Sequence, residues 1–198
     1  MFQDDFLKRN FLFLQGVCSP FFAALAEQLR HDGHTVSKVN FNVGDWFYWG
    51  KGQAKSYRGR LTDLGGFLDF VFGRECVTDQ VLFGDLRPVH LPALEAARIR
   101  GIRNHVYEEG YFRPYWGTRE REGVNSHSQL PKEPGWYRQV EAVLPKSADV
   151  VSFRSPFSLR ALHDVAYHCA GALNPFFFPR YRTHAPVTAP IEYLGYMR

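Results

Sequence analysis

The sequence predicts an α/β fold in which a Rossmann-like parallel sheet is sandwiched by helices. Short apolar runs that end in glycine or polar residues alternate with segments that have helical spacing. Strands joined by helices of about a dozen residues pair in parallel through right-handed crossovers. Within 198 residues, we expect one domain at residues 1–150, followed by a basic aromatic helical or linker segment at residues 151–198.

The first βα unit is predicted near the start of the chain. Residues 11–15 are a short apolar run that ends at Gly16, as expected of a buried strand. Residues 21–31 carry apolar side chains at helical spacing, and Pro20 suits the first turn of this helix. Residues 34–42 then alternate between apolar and polar side chains, which indicates a second strand.

The remaining elements continue the alternation of strand and helix, although the pattern weakens in the last third of the chain. They are a long irregular loop at residues 44–59, helices at 62–72 and 92–100, strands at 80–83 and 103–107, and one helix within 155–172. The strand at residues 103–107 is expected to be the last of the series.

Composition limits the class of protein. No run of about 18 uncharged apolar residues occurs, and the N-terminus lacks the basic start and cleavage site of a signal peptide, so we expect a cytoplasmic protein. The three cysteines are far apart, and no histidine pair has metal-binding spacing, so neither a disulfide framework nor a metal site is expected. Cys18 precedes a helix, where a thiolate is stabilised, but a small buried thiol fits it better.

The C-terminal segment is more basic than the rest of the chain. Residues 151–198 contain five arginines and two acids, and aromatic residues lie between the arginines. This composition suits an anionic surface such as nucleic acid or acidic lipid headgroups. The alternative is a helix that packs against a neighbour outside this chain.

Glycine or polar residues follow three of the four predicted strands. They are Gln15 and Gly16, then Gly84, Asp85 and Arg87, and finally Glu108 and Glu109. Because the carboxyl ends of parallel strands meet at one edge, we expect Gln15, Asp85 and Glu109 to lie on the same side of the sheet. Neither a dinucleotide fingerprint nor a Walker loop is present, which excludes the dehydrogenase and NTPase classes.

The adjacent acids Glu108 and Glu109 precede Gly110 and Arg113 in a predicted loop. Two neighbouring carboxylates resist joint ionisation, so one can hold a raised pKa while the other stays charged. The alternative is a structural loop in which the acids pair with Arg113 or cap the next helix.

Several spaced motifs together resemble the capsule polysaccharide proteins of the KpsS/LipB type, and the match covers nearly the whole chain. They are Phe13-Leu14-Gln15-Gly16, Pro20-Phe21-Phe22, Phe41-Asn42-x-Gly44-Asp45, Phe83-Gly84-Asp85-x-Arg87-Pro88, Glu108-Glu109-Gly110-Tyr111-x-Arg113-Pro114, Gly123-Val124-Asn125, Leu130-Pro131 and Phe178-Pro179-Arg180-Tyr181-Arg182.

The resemblance implies a β-Kdo glycosyltransferase that moves Kdo from CMP-Kdo onto a phosphatidylglycerol-type lipid, with no further cofactor. It implies a GT-B-like pair of Rossmann-like halves, of which this chain corresponds to the N-terminal one. The family's second half carries a His-Pro motif that is absent here, so we expect no activity from this chain alone. Expected partners are the anionic lipid, the inner membrane surface and capsule export proteins, without nucleic acid. The alternative is a non-catalytic lipid- or partner-binding module.

The resemblance also implies residue roles. Glu109 matches the position of the nucleophile, Glu108 would orient it, and Arg113 could bind the carboxylate of the sugar. The other expected substrate-binding residues are Gln15, Gly16, Gly84, Asp85, Arg87 and Asn125, and the expected lipid contacts are Arg180, Arg182 and Phe177.

Overall fold

The computed structural model describes residues 8–50, 52–110, 116–144, 156–183, 191 and 194–195. The strands are β1 (Asn10–Phe13), β2 (Thr35–Asn40), β3 (Lys55–Ser56), β4 (Asp79–Phe83), β5 (Arg103–Glu109) and β6 (Gly117–Arg121). The α-helices are α1 (Phe21–His31), α2 (Val43–Trp49), α3 (Leu64–Arg74), α4 (His90–Ile99), α5 (Pro134–Glu141), α6 (Phe157–Gly171) and α7 (Asn174–Phe177). Short 3-10 turns form at Leu61–Asp63 and Asn125–His127.

These strands form one mixed sheet with the spatial order β3-β2-β1-β4-β5-β6. The pairs from β3 to β5 are parallel, with Phe13 opposite Val81 and Phe83 opposite Tyr107. The α/β Rossmann-like class is therefore confirmed. The strand that ends at Glu109 is not the last, because β6 pairs with it in antiparallel register.

Two apolar layers cover the faces of the sheet. Since side chains alternate along a strand, Phe11 and Phe13 point to the face covered by α1, where Phe22 and Ala26 pack. Leu12 points to the opposite face, which α3 and α4 cover. The neighbouring strands β1 and β4 thus lead into helices on opposite faces, which is the arrangement that opens a crevice at the carboxyl ends of the strands.

The region predicted as a long loop, residues 44–59, contains the helix α2 and the short strand β3, so that prediction is wrong. The side chain of Asn42 caps α2 by accepting a hydrogen bond from the Asp45 amide. Gly50 ends the helix with φ of 70°. The sequence of α2 lacks the apolar spacing of a helix with one buried face, because this helix packs against α6 as well as against the sheet.

The segment from residue 156 to residue 183 packs onto the sheet domain. Tyr167 of α6 lies against Gly44 so closely that a Cβ at Gly44 would be 2.6 Å from its ring. The hydroxyl of Tyr48 donates to the His163 carbonyl over 2.9 Å, and the Val43 amide donates to Asn174 Oδ1 over 2.8 Å. Among the described helices, none has the length and apolar character needed to cross a bilayer.

Candidate functional site

The loops that follow β1 and β4 contact each other at the carboxyl edge of the sheet. The Arg87 guanidinium donates to the carbonyl of Gly16 over 2.7 Å, and the Phe83 amide donates to the carbonyl of Gln15 over 3.4 Å. The Gly84 amide donates to a carbonyl of β5 over 2.8 Å. The three strand ends predicted to converge are therefore neighbours in the structure.

Gly84 lies where an acid and a base approach each other. Its φ of 70° is a left-handed conformation that favours glycine. A Cβ at Gly84 would lie 3.5 Å from Glu108 Oε2 and 3.9 Å from Arg87 Nε. The Glu108 carboxylate and the Arg87 guanidinium therefore both approach the backbone of Gly84.

Glu108 and Glu109 are the last two residues of β5, so the prediction that they form a loop after the strand is wrong. Successive side chains in a strand point to opposite faces, and it is Glu108 that approaches Gly84. The Glu108 carboxylate also accepts the Glu109 amide over 2.9 Å. The edge pairing with β6 extends β5 to this point, since Glu109 lies opposite Gly117.

A buried ion pair that the sequence analysis missed supports the loop after β1. Lys38 Nζ lies 3.0 Å from Asp45 Oδ2 and donates to the Leu14 carbonyl over 2.8 Å. Asp45 Oδ1 accepts the Gly16 amide over 3.1 Å. Burial lowers the pKa of Lys38, although Asp45 opposes this shift. An inward-pointing lysine in a predicted strand was the available signal for this pair.

Gln15 is held by two tyrosines from the C-terminal segment. Its side-chain amide donates to the Tyr167 hydroxyl over 3.0 Å and to the Tyr181 hydroxyl over 2.8 Å. Asn42 donates to the same Tyr167 hydroxyl over 3.0 Å. Burial raises the pKa of both phenols. The Gln15 side chain therefore joins the C-terminal segment to the sheet, and a substrate contact by it stays a prediction.

Asp85 points into a second polar cavity beside α4. One carboxylate oxygen accepts the Val124 amide over 3.0 Å and lies 3.1 Å from His127 Nδ1. The cavity measures about 660 Å³, and Glu122 contributes to its wall. The predicted substrate-binding residue Asn125 follows Val124 with φ of 53°. These contacts show how Asp85 positions the 124–127 turn, while the binding roles stay predictions.

Other predicted residues have simpler outcomes. Arg113 lies outside the described residues. Burial, followed by the charge of Asp164, raises the pKa of the Cys18 thiol to about 11, so this cysteine is not a thiolate at neutral pH. Within the described residues, no group of three metal-ligating side chains is present.

The residues expected to contact lipid are divided between two places. Arg180 and Arg182 line a surface groove, whereas the Phe177 ring lies 6.0 Å from the Trp46 ring of α2. The neighbouring Phe178 is only 2% exposed, so it does not share an exposed face with Phe177. The guanidinium carbon of Arg58 lies over the Phe178 ring, 5.8 Å from its centroid.

The sheet order and the helices on both faces of the sheet define the class of Rossmann-like α/β proteins. Residues 78–198 match the family described as capsule polysaccharide biosynthesis protein, and the chain belongs to this family. The resemblance inferred from the spaced motifs is thereby confirmed.

Two relatives show how far the similarity extends. The chain is 36% identical over 177 residues to the capsule polysaccharide export protein KpsS of Escherichia coli, which covers 89% of this chain and 45% of the relative. It is 33% identical over 183 residues to the capsule polysaccharide modification protein LipB of Neisseria meningitidis serogroup B. This alignment covers 88% of this chain and 43% of the relative. The chain thus spans less than half the length of these relatives.

Proposed function

We propose that this chain forms the acceptor-side part of a transferase that moves β-Kdo from CMP-Kdo onto a phosphatidylglycerol-type lipid. The observation that carries the proposal is the approach of the Glu108 carboxylate and the Arg87 guanidinium to Gly84 at the carboxyl edge of the sheet. Since the chain spans less than half of its relatives, the proposed activity belongs to a longer protein that contains it.

The chemistry needs a carboxylate at this position. Kdo is a ketose, so departure of CMP leaves positive charge at the anomeric carbon. A glutamate can bond to that carbon while the bond to the CMP phosphate breaks, and the acceptor hydroxyl then displaces the glutamate and loses its proton. Two displacements retain the anomeric configuration. An arginine beside the carboxylate can bind the acid group of the sugar.

The two acids have competing claims to the role of nucleophile. The family resemblance assigns it to Glu109, with Glu108 as the orienting group. The geometry favours the reverse, because the Glu108 carboxylate approaches Gly84 and Arg87 and also accepts the amide of Glu109. We therefore assign the reacting position to Glu108, whose carboxylate is oriented by the backbone amide of Glu109.

The test compares Glu108→Gln with Glu109→Gln in the longer protein. We expect Glu108→Gln to lower the rate of Kdo transfer by several orders of magnitude, because removal of a nucleophile commonly has that effect. Glu95→Gln, an exposed position on α4, is the matched control and should retain the parent rate. Transfer is measured with CMP-Kdo and phosphatidylglycerol.

The remaining outcomes separate the alternatives. A severe loss in Glu109→Gln with normal transfer in Glu108→Gln would restore the assignment made by resemblance. Normal transfer in both variants would contradict catalysis at this edge and favour a non-catalytic lipid- or partner-binding module. The proposal also includes contact with capsule export proteins and with the inner membrane surface through Arg180, Arg182 and Phe177, with CMP-Kdo as donor and no added cofactor.

A further inference from the structure

A surface groove of about 1040 Å³ lies beside the candidate site. We call it the arginine groove. Three segments form it: the turn before α3, the start of α4, and residues 179–182. Its lining includes Arg60, Arg180, Arg182, Leu86, Leu91 and Tyr181.

The charged side chains of the groove are all cations. Arg60, Arg180 and Arg182 are exposed, and no salt bridge in the described part of the chain includes any of them. The nearby acid Asp63 accepts a hydrogen bond from Thr62 over 3.0 Å. Like charges around a concave surface repel one another and concentrate an anion there. Guanidinium groups bind phosphate oxygens in pairs, which makes a phosphate the best-matched anion.

Two partly buried tyrosines hold the backbone that carries these arginines. Tyr57, which packs against the core, donates its hydroxyl to the carbonyl of Arg60. Tyr181 lies between Arg180 and Arg182, packs against the same core and accepts the Gln15 amide over 2.8 Å. The three arginine backbones are therefore held by the fold and not by a loose tail.

The groove also presents apolar surface at its rim. Leu86 is 63% exposed and Leu91 is 51% exposed, and prolines line the wall between them and the arginines. A nucleotide base commonly stacks on an aromatic ring, but the aromatic ring lining the groove, that of Tyr181, packs against the core. Cations beside exposed leucines match a phosphate that carries hydrocarbon chains.

We propose that the arginine groove binds the phosphate group of an anionic phospholipid, with Leu86 and Leu91 in contact with its apolar part. The groove adjoins the candidate site, because Leu86 and Pro88 flank Arg87 in the chain and Tyr181 bonds to Gln15. The inference rests on the proposed function for the role of this lipid as the acceptor. The leucines add an apolar contact to the one proposed for Phe177, whose ring lies 6.0 Å from that of Trp46.

The test measures co-sedimentation of the chain with vesicles of phosphatidylglycerol and phosphatidylcholine. Each arginine near an anionic surface contributes about fivefold in affinity, so Arg60→Ala/Arg182→Ala should weaken binding about 25-fold. The matched control is Arg121→Ala/Arg138→Ala, which removes the same charge from exposed positions outside the groove and should retain most of the binding. Equal losses in the two variants would overturn the proposal, since binding would then follow net charge alone.

Further arms separate the source of the phosphate. Leu86→Ala/Leu91→Ala should weaken binding to these vesicles severalfold while the charge is unchanged, and an unaltered affinity would contradict the apolar contact. Vesicles of phosphatidylcholine alone should not bind. If CMP or inorganic phosphate binds the chain through Arg60 and Arg182 and vesicles do not, the groove serves a soluble ligand and the lipid proposal fails. Glu108→Gln should bind vesicles normally, so failure of transfer and failure of the groove are distinguishable.

Discussion

The carboxylates at the two edges of the sheet differ in how many of their oxygens are bonded to other protein groups. At the amino edge, Asp79 is fully buried and accepts hydrogen bonds from Arg103 Nε over 2.8 Å and Arg103 Nη2 over 2.7 Å. Thr78 and His105 contact the same carboxylate at 2.7 Å each. At the carboxyl edge, the Glu108 side chain is half-buried beside Gly84. Because glycine has no side chain, no Cβ lies between the Gly84 backbone and the Glu108 carboxylate.

This difference distinguishes structural charges from candidate functional ones. The carboxylate of Asp79 has both oxygens occupied by protein groups, so it offers nothing to a ligand. Lys38 and Asp45 resemble Asp79 although they lie near the carboxyl edge, because they bond to each other and to the backbone. We therefore assign these three residues to folding, whereas Glu108 and Arg87 are the ligand contacts that we propose.

The largest expected effect is at the amino edge. Asp79→Ala would leave Arg103 and His105 without their shared partner, and breaking a buried ion pair in this way costs about 3–5 kcal/mol. Urea unfolding of the chain followed by circular dichroism measures the loss. The control is Asp69→Ala, which breaks an exposed pair with Arg100 and should change stability little. A small loss in Asp79→Ala would contradict the structural assignment.

Lowering the pH should remove part of the stabilisation that the Asp79 carboxylate provides. Burial opposes ionisation of Asp79, but hydrogen bonds from His105, Arg103 and Thr78 outweigh it and lower the pKa of this carboxyl below its usual value. Because the folded-state pKa lies below the unfolded one, the stabilisation is complete above pH about 4 and declines as the pH falls further.

The matched variant for this pH dependence is Asp79→Asn, which cannot titrate. Unfolding free energies of both proteins, measured from neutral pH downward, should differ by a constant amount until pH about 4 and then converge. A difference that stays constant into strong acid would mean that the pKa of Asp79 is not lowered.

The order of the main elements was predictable because burial leaves a periodic signal. Apolar runs marked β1 and β4, and amphipathic spacing marked α1 and α4. The edge strand β6 was missed because its sequence, Gly117–Arg121, has no apolar face and is held by backbone pairing with β5. A strand without alternating apolar residues has no pattern from which a buried face can be predicted.

The candidate site was predictable only as far as topology determines it. Parallel strands place Gly16, Gly84 and Glu108 at one edge, whatever their side chains contact. The partners of Gln15 were not predictable, because Tyr167 and Tyr181 lie 152 and 166 residues further along the chain. Such distant pairs depend on how the C-terminal segment packs, which a local pattern does not encode.

The smallest expected effect on stability compares two glycines. Gly84 and Gly101 have φ of 70° and 67°, so Gly84→Ala and Gly101→Ala both place a Cβ in a left-handed conformation that costs about 1–2 kcal/mol. A Cβ at Gly101 has no atom within 4 Å, whereas one at Gly84 lies 3.5 Å from Glu108 Oε2. That distance is an ordinary contact, so we expect similar unfolding free energies for the two variants.

The two glycine variants should differ in function instead. In the longer protein, the methyl group of Gly84→Ala would occupy the space between Glu108 and Arg87, so Kdo transfer should fall at least tenfold, a loss equivalent to about 1.4 kcal/mol. Gly101→Ala, at the turn between α4 and β5, has the same backbone strain, but its methyl group contacts neither Glu108 nor Arg87. This variant should retain the parent rate. If both variants transfer Kdo equally well, substrate does not occupy the position beside Gly84. The charged groups at the carboxyl edge would then be structural, as those around Asp79 are.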